Sequence, residues 1–223
     1  MTAPHFSDFY SLPLIGILRG CEPEHLLHII EAVRGGGMRY LEITMNSCGA
    51  EDQIRAANRL SEGELTIGAG TVTSRKLLDR ALAAGASFIV TPCVARDVIE
   101  YCDDAGLPIF PGALTPTETY TAWETAPNLI PAVKIFPADN LGPDYIRALK
   151  APFPSIPLMP TGGVDLQTLP QFINAGADAF GIGSPLFRKD RIEARNWPWL
   201  ENQVRAFVDA YQSSLSSRQR KRL

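Results

Sequence analysis

The chain predicts an α/β fold, a (β/α)₈ TIM barrel formed as a single domain. Three observations carry this. Eight apolar, β-prone runs recur along the sequence: LIGIL from Leu14, RYLEITM from Arg39, LTIGAG from Leu65, FIVTP from Phe88, PIFPG from Pro108, AVKIFP from Ala132, PLMPTGG from Pro157 and AFGIGS from Ala179. Their starts lie 20 to 26 residues apart. Each gap holds a stretch of helical periodicity, as in Glu24–Ile30 and Leu77–Leu82. Strand–helix alternation with short links requires a parallel sheet, and eight such units build a barrel. The rival, an open doubly wound sheet, lacks its fingerprint. Gly68-Ala69-Gly70 has no third glycine and no acidic residue at the right distance.

Local signals punctuate the units. Ser74, Thr115 and Asp165 are candidate helix N-caps. Gly85, Gly106 and Gly176 each follow a helical stretch and precede a strand, where a left-handed C-terminal residue is needed. The segment from Arg188 to Trp199 reads as a helix, and Trp197–Tyr211 reads as the last one. Residues 1–212 are therefore assigned to the barrel. Residues 213–223, serine-rich and ending Arg218-Gln219-Arg220-Lys221-Arg222, are expected to be a disordered basic tail.

Composition narrows the function classes. The 223 residues are 45% hydrophobic and 20% charged, enough for one sizeable core. A net charge of −3 argues against a general nucleic-acid or membrane-surface binder. No apolar run is long enough to span a bilayer, and the N-terminal MTAPHFSDFYS has no basic-then-apolar signal pattern. Four cysteines (Cys21, Cys48, Cys93, Cys102) without a CxxC pair fit reduced thiols in a cytoplasmic protein. Cys21, Cys48 and Cys93 fall just past strand ends, but no histidine joins them. His25 and His28 lie on the first helix, so no metal is expected.

The strand ends carry the chemistry, because barrel active sites lie at the C-terminal ends of the strands. Lys134 interrupts the apolar run Ala132–Pro137. Burial disfavours the charged amine, and a neutral amine can attack a carbonyl carbon to form a Schiff base. The competing reading is an edge-strand lysine reaching out to solvent. Glu42, inside Leu41-Glu42-Ile43-Thr44, can shuttle protons if it faces the barrel interior; otherwise it forms a structural ion pair with Lys134 or faces outward. Thr161-Gly162-Gly163 and Gly181-Ile182-Gly183-Ser184 follow strands seven and eight, where barrels bind phosphate through backbone N–H groups. Arg19 closes strand one and can clamp a carboxylate or phosphate, or sit on the surface. Thr71 and Pro92 complete the set of strand ends.

ILRG, LEITMN, GAGTV, VTP, FPG, VKIFPA followed by LGPDYIRALKAP, PTGGV and GIGSPLF occur in this order between Leu12 and Leu186. Together they resemble the 2-keto-3-deoxy-6-phosphogluconate and 2-keto-3-deoxy-6-phosphogalactonate aldolases. The resemblance implies a class I aldolase on a TIM barrel, with no metal or other cofactor, assembled as a homotrimer. Its ligands would be phosphorylated keto-deoxy sugar acids and pyruvate. It implies that Lys134 forms the Schiff base and Glu42 is the acid/base. Thr71 and Pro92 would line the pyruvate pocket, and Gly162, Gly163, Gly183 and Ser184 would hold phosphate. Asn46 stands where gluconate-type members carry a carboxylate-binding arginine, and Arg19 resembles the galactonate-type substitute. Thr161, near the C4 hydroxyl, is gluconate-like, so the two markers oppose one another and dual specificity is open. Two alternatives to the aldolase reading are a sugar-phosphate isomerase or epimerase, which needs no central lysine, and a non-catalytic phosphosugar-binding barrel.

Overall fold

A computed structural model describes residues 8–220 of the chain. The strands are β1 Leu14–Leu18, β2 Tyr40–Thr44, β3 Thr66–Gly70, β4 Ile89–Val90, β5 Ile109–Phe110, β6 Gly112–Ala113, β7 Val133–Ile135, β8 Leu158–Pro160 and β9 Phe180–Ile182. Every expected run forms a strand. PIFPG supplies two, because Pro111 has no N–H for the ladder and separates β5 from β6. Its carbonyl still accepts from Lys134 N at 2.9 Å.

All strand pairs are parallel. Six strands run in the order β5-β4-β3-β2-β1-β9, and three in the order β6-β7-β8. The first strand pairs with both the second and the last, Ile17 against Glu42 and Ile15 against Gly181. The last strand of the chain thus returns beside the first in a curled parallel sheet, and no reversal of strand order within it creates the switch point of a doubly wound sheet. A bridge between Thr161 and Gly181 links the two sheets on one side. Pro111 links them on the other.

The helices are α1 Leu26–Gly35, α2 Ala50–Leu60, α3 Arg75–Ala83, α4 Arg96–Ala105, α5 Pro116–Thr125, α6 Gly142–Lys150, α7 Leu169–Ala175, α8 Lys189–Glu193 and α9 Trp197–Arg220. Ser74 caps α3 by accepting from Leu77 N, and Thr115 and Glu118 form a reciprocal capping box on α5. Asp165 is not the cap of α7. Its carboxylate binds the N–H groups of Gln167 and Thr168 in the turn before that helix. Gly106 and Gly176 end their helices in the left-handed region, as expected.

Two expectations for the C-terminal part change. The Arg188–Trp199 stretch is not one helix, because Arg195 adopts φ 52° between α8 and α9. The last helix does not stop at Tyr211 but continues to Arg220, through most of the segment expected to be disordered. No glycine or proline occurs after Pro198 to stop it. Leu215 packs against the core, and the Ser214 hydroxyl bonds the Ala210 carbonyl. Residues 221–223, the end of that tail, lie outside the described residues.

The core is divided in two. A large cluster fills the space between strands and helices. A smaller one takes Ile15, Tyr40, Val90, Phe110 and Met159 from strands of both sheets, with Phe88, Ala132 and Ala179 from residues just before strands. Phe9, from a short 3₁₀ turn at Phe9–Ser11, joins it. Its ring meets those of Tyr40 and Phe110 edge-on, at centroid distances of 5.1 and 5.2 Å. The inner faces of both sheets thus surround one aromatic plug. Among the described residues no helix is long and apolar enough to cross a membrane.

Candidate active site

Side chains two positions apart on a strand share a face. Two residues beyond Tyr40 comes Glu42, and two beyond Ala132 comes Lys134. Both therefore point to the same interior as the plug, one layer nearer the C-terminal strand ends. Thr161 and Gly181 follow Met159 and Ala179 in the same way.

Lys134 is buried at 6% exposure. It lies in register between Gly112 of β6 and Met159 of β8. Its Nζ sits 5.3 Å from the centroid of the Phe136 ring, close enough for attraction between an amine cation and the ring face. The side chain reaches a cavity of about 590 Å³, so the edge-strand reading does not hold.

Glu42 is 1% exposed, and neither carboxylate oxygen has a hydrogen-bond partner among the described residues. It is therefore neither outward-facing nor in a contact ion pair. The room for it comes from Gly70, where a Cβ would fall 1.7 Å from Glu42 Oε1. Burial pushes the Glu42 carboxyl above the ordinary carboxylate range, against the opposing pull of the positive charges on Lys134 and then Arg19. A carboxyl so placed holds its proton to higher pH than usual and can give it to a leaving oxygen.

The cavity brings together Arg19, Lys134, Thr161, Gly162, Gly163, Gly183 and Ser184, seven of the ten residues expected from sequence. Arg19 is exposed at the rim. Its loop is tied to the segment after β2: Gly20 N donates to Ser47 Oγ at 2.9 Å, and Gln53 Nε2 of α2 donates to the Cys21 carbonyl at 2.7 Å. Thr161 Oγ1 is buried without a partner among the described residues, over the Cα of Gly181, where a Cβ would lie 2.4 Å from it. Gly162 and Gly163 adopt φ 93° and 69°, which disfavours any side chain there. The Thr168 hydroxyl holds the Gly163 carbonyl at 2.6 Å. The N–H groups of Gly162, Gly163, Gly183 and Ser184 find no acceptor among the described residues. Free backbone donors converging on a cavity suit an anion.

Glu42, Thr71 and Pro92 do not line this cavity. Thr71 follows Gly70 and adopts φ 58°, an outlier for a β-branched residue and of the kind that clusters at functional sites. Pro92 packs its backbone on Gly112, the neighbour of Lys134. Buried Thr91 accepts from Gly112 N at 3.0 Å and donates to the Cys93 carbonyl at 2.6 Å, which fixes that approach. Thr71 thus follows the glycine that makes room for Glu42, and Pro92 packs on the strand neighbour of Lys134. Asn46 is exposed and absent from the cavity wall.

Sequence reasoning missed several walls. Ile17 and Phe136 line the cavity and lie two residues from Arg19 and Lys134, so strand alternation could have found them. Asp139, Val164, Pro185 and Phe187 come from loops, where no periodic signal exists. Among the described residues no group of three histidines, cysteines or acids is placed to hold a metal. Cys21 is buried with its thiol pushed up to about 11, chiefly by that burial, while Cys48 and Cys93 are exposed. His28 stacks on Trp197 at 5.1 Å, and His25 lies against the same ring at 5.5 Å, well apart from the cavity.

Known proteins resemble this chain over most of its length. The chain is 38% identical over 205 residues to the 2-dehydro-3-deoxy-6-phosphogalactonate aldolase of Escherichia coli K12, which spans 92% of this chain and 97% of the relative. It is 30% identical over 199 residues to the 2-dehydro-3-deoxy-phosphogluconate aldolase of Haemophilus influenzae, which spans 89% and 92%. A solved structure described as native KDPGal superposes with a TM-score of 0.83 at 38% identity, covering 92% of this chain and 97% of that one. The model of the family "Aldolase: KDPG and KHG aldolase" matches residues 7–203, and the chain belongs to that family.

Proposed function

We propose that this chain is a class I aldolase that cleaves 2-keto-3-deoxy-6-phosphogalactonate, and its gluconate epimer, to pyruvate and glyceraldehyde 3-phosphate. Family membership makes it an aldolase, a carbon–carbon lyase. The observation that carries the Schiff-base reading is Lys134, a buried lysine reaching a cavity, electrostatically coupled to a buried carboxyl. An isomerase or epimerase needs no such lysine.

In this reading neutral Lys134 attacks the C2 ketone. Glu42, which begins protonated, gives its proton to the carbinolamine oxygen, and water leaves. The resulting cationic imine is an electron sink. Glu42, now a carboxylate, takes the C4 hydroxyl proton directly or through one water, and the C3–C4 bond breaks. The aldehyde departs with its phosphate, which the free N–H groups of Gly162, Gly163, Gly183 and Ser184 hold. Glu42 protonates C3 of the enamine, and hydrolysis of the imine frees pyruvate and Lys134. Arg19 pairs with the substrate carboxylate. Thr71 and Pro92 wall the pyruvate end, and Thr161 meets the C4 hydroxyl. The greater identity to the galactonate-type relative favours that epimer.

The two sheets, joined at Pro111 and at the Thr161–Gly181 bridge, are read as one closed (β/α)₈ barrel formed by residues 1–212. We assign it to a cytoplasmic homotrimer that needs no cofactor, with the basic C-terminal end outside the catalytic unit.

Borohydride reduction in the presence of pyruvate, read by intact mass and peptide mapping, tests the reading. A stable adduct on Lys134 is expected. Absence of an adduct from folded protein with excess pyruvate would remove the class I mechanism. Coupled assays with each six-carbon epimer then rank the substrates.

A further inference from the structure

We infer that Asp139 is a specificity-determining residue, whose carboxylate accepts a hydrogen bond from the C5 hydroxyl of the substrate, the hydroxyl next to the phosphate-bearing carbon. The inference rests on the aldolase reading above. Arg19 and Lys134 line the cavity, and Asp139 is the one acidic residue among its described walls. The carboxylate of Asp139, an exposed residue, makes no hydrogen bond or ion pair among the described residues. Asp144 pairs with Arg147, and Asp165 binds the turn before α7. An acidic acceptor left open on a cavity wall is suited to a donor carried by the ligand.

Placement selects which donor. Asp139 lies five residues beyond Lys134 on the same outgoing segment, so it stands further from the imine carbon and nearer the mouth. It abuts the Gly162–Gly163 turn. A Cβ on Gly163 would fall 2.8 Å from Asp139 Cα, and one on Gly162 would fall 3.6 Å from Asp139 Oδ1. The two glycines therefore do more than admit an anion to their N–H groups: Gly163 lets the Asp139 backbone and Cβ pack close to the turn, with its carboxylate beside Gly162. A carboxylate beside these donors accepts from a neutral hydroxyl while the N–H groups take the phosphate. With C2 at Lys134 and phosphate at the outer donors, the hydroxyl between C4 and the phosphate is the group within its reach. Thr161, one layer deeper, is left for the C4 hydroxyl.

The test runs the reaction towards carbon–carbon bond formation, condensing pyruvate with either of two aldehydes. Glyceraldehyde 3-phosphate carries the hydroxyl in question; 3-phosphooxypropanal is the same molecule without it. The ratio of kcat/KM for the two aldehydes is measured in the wild type, Asp139→Ala and Asp139→Asn. Each protein's rate of pyruvate methyl-proton exchange, which involves no aldehyde, serves as internal reference. The wild type should prefer the hydroxylated aldehyde, and Asp139→Ala should lose about 10- to 100-fold of that preference, the range for a hydrogen bond to a charged acceptor. Asp139→Asn, which keeps a neutral acceptor, should fall between them. An unchanged preference in Asp139→Ala, with pyruvate exchange intact in the wild type, would overturn the role of Asp139 alone. A wild type without pyruvate exchange would overturn the aldolase reading and this inference with it.

Discussion

The interior holds two layers built by the same strands, and they differ in kind. The lower layer, with Tyr40, Phe110, Ala132, Met159 and Ala179, is closed by rings meeting edge-on around Phe9. Two residues further along these strands stand Glu42, Gly112, Lys134, Thr161 and Gly181. The lower layer fills space with large apolar side chains. The upper layer spaces polar groups with glycines, Gly70 giving room to Glu42 and Gly181 to Thr161. One register shift of two residues thus separates packing from chemistry. The apolar floor adds to the low-dielectric surroundings that disfavour the charged form of Glu42.

The most severe way to break the upper layer is Lys134→Ala. It should abolish the borohydride adduct with pyruvate and with it measurable turnover, while the apolar floor keeps the protein folded. Far-ultraviolet circular dichroism and adduct mass check both halves. Turnover surviving in that variant would place the nucleophile elsewhere.

Next come Glu42→Gln and Gly70→Ala, which attack the same carboxyl from two directions. The first removes its acid/base capacity and should slow turnover by about 10² to 10⁴ with substrate binding largely kept. The second leaves Glu42 in the chain but puts a methyl group where its carboxylate lies, so a loss of similar size is expected. Steady-state kcat and KM decide. Full activity in Gly70→Ala would mean that the carboxylate works from another position.

The floor responds differently. Phe110→Ala removes a fully buried ring and should cost about 3–5 kcal/mol of stability, seen as a lower denaturation midpoint, with kcat per folded molecule little changed. A kcat loss rivalling that of Glu42→Gln would show that the layers are not separable.

The two layers were not equally legible in the sequence. The eight strand runs, Lys134 and the glycine loops stood out because an odd residue in an apolar run and a repeated spacing are local signals. Glu42 was visible, but its direction was not, since one strand offers two faces and only the fold fixes which is buried. The role of Gly70 as space for Glu42 is a contact between β2 and β3, which no local pattern contains. Asp139 and Phe187 reach the cavity from loops, where side-chain direction follows backbone geometry rather than periodicity. The helix to Arg220 is under-read from sequence because a serine-rich, basic segment has weak apolar periodicity. Helix continuity there follows from the absence of breakers and from Leu215 packing on the core.

The smallest expected effect sharpens the comparison most, because it reads the floor's influence on the upper layer without turnover. Well below the ordinary carboxylate range, at about pH 2, the Glu42 carboxyl carries its proton in both folded and unfolded chains and contributes nothing to the pH slope. As pH rises through the ordinary carboxylate range, the unfolded chain releases that proton while the folded chain, whose carboxyl is raised by burial, keeps it. The folded state then binds more protons than the unfolded one, so this group makes stability fall with rising pH until the folded carboxyl also ionises. Glutamine has no proton to release. The difference in melting temperature, Glu42→Gln minus wild type, should therefore grow more positive from about pH 4 to about pH 7, all other titrating groups being common to both. A difference that stays flat across this range would mean an ordinary carboxylate at Glu42, and the apolar floor would then have no part in setting its chemistry.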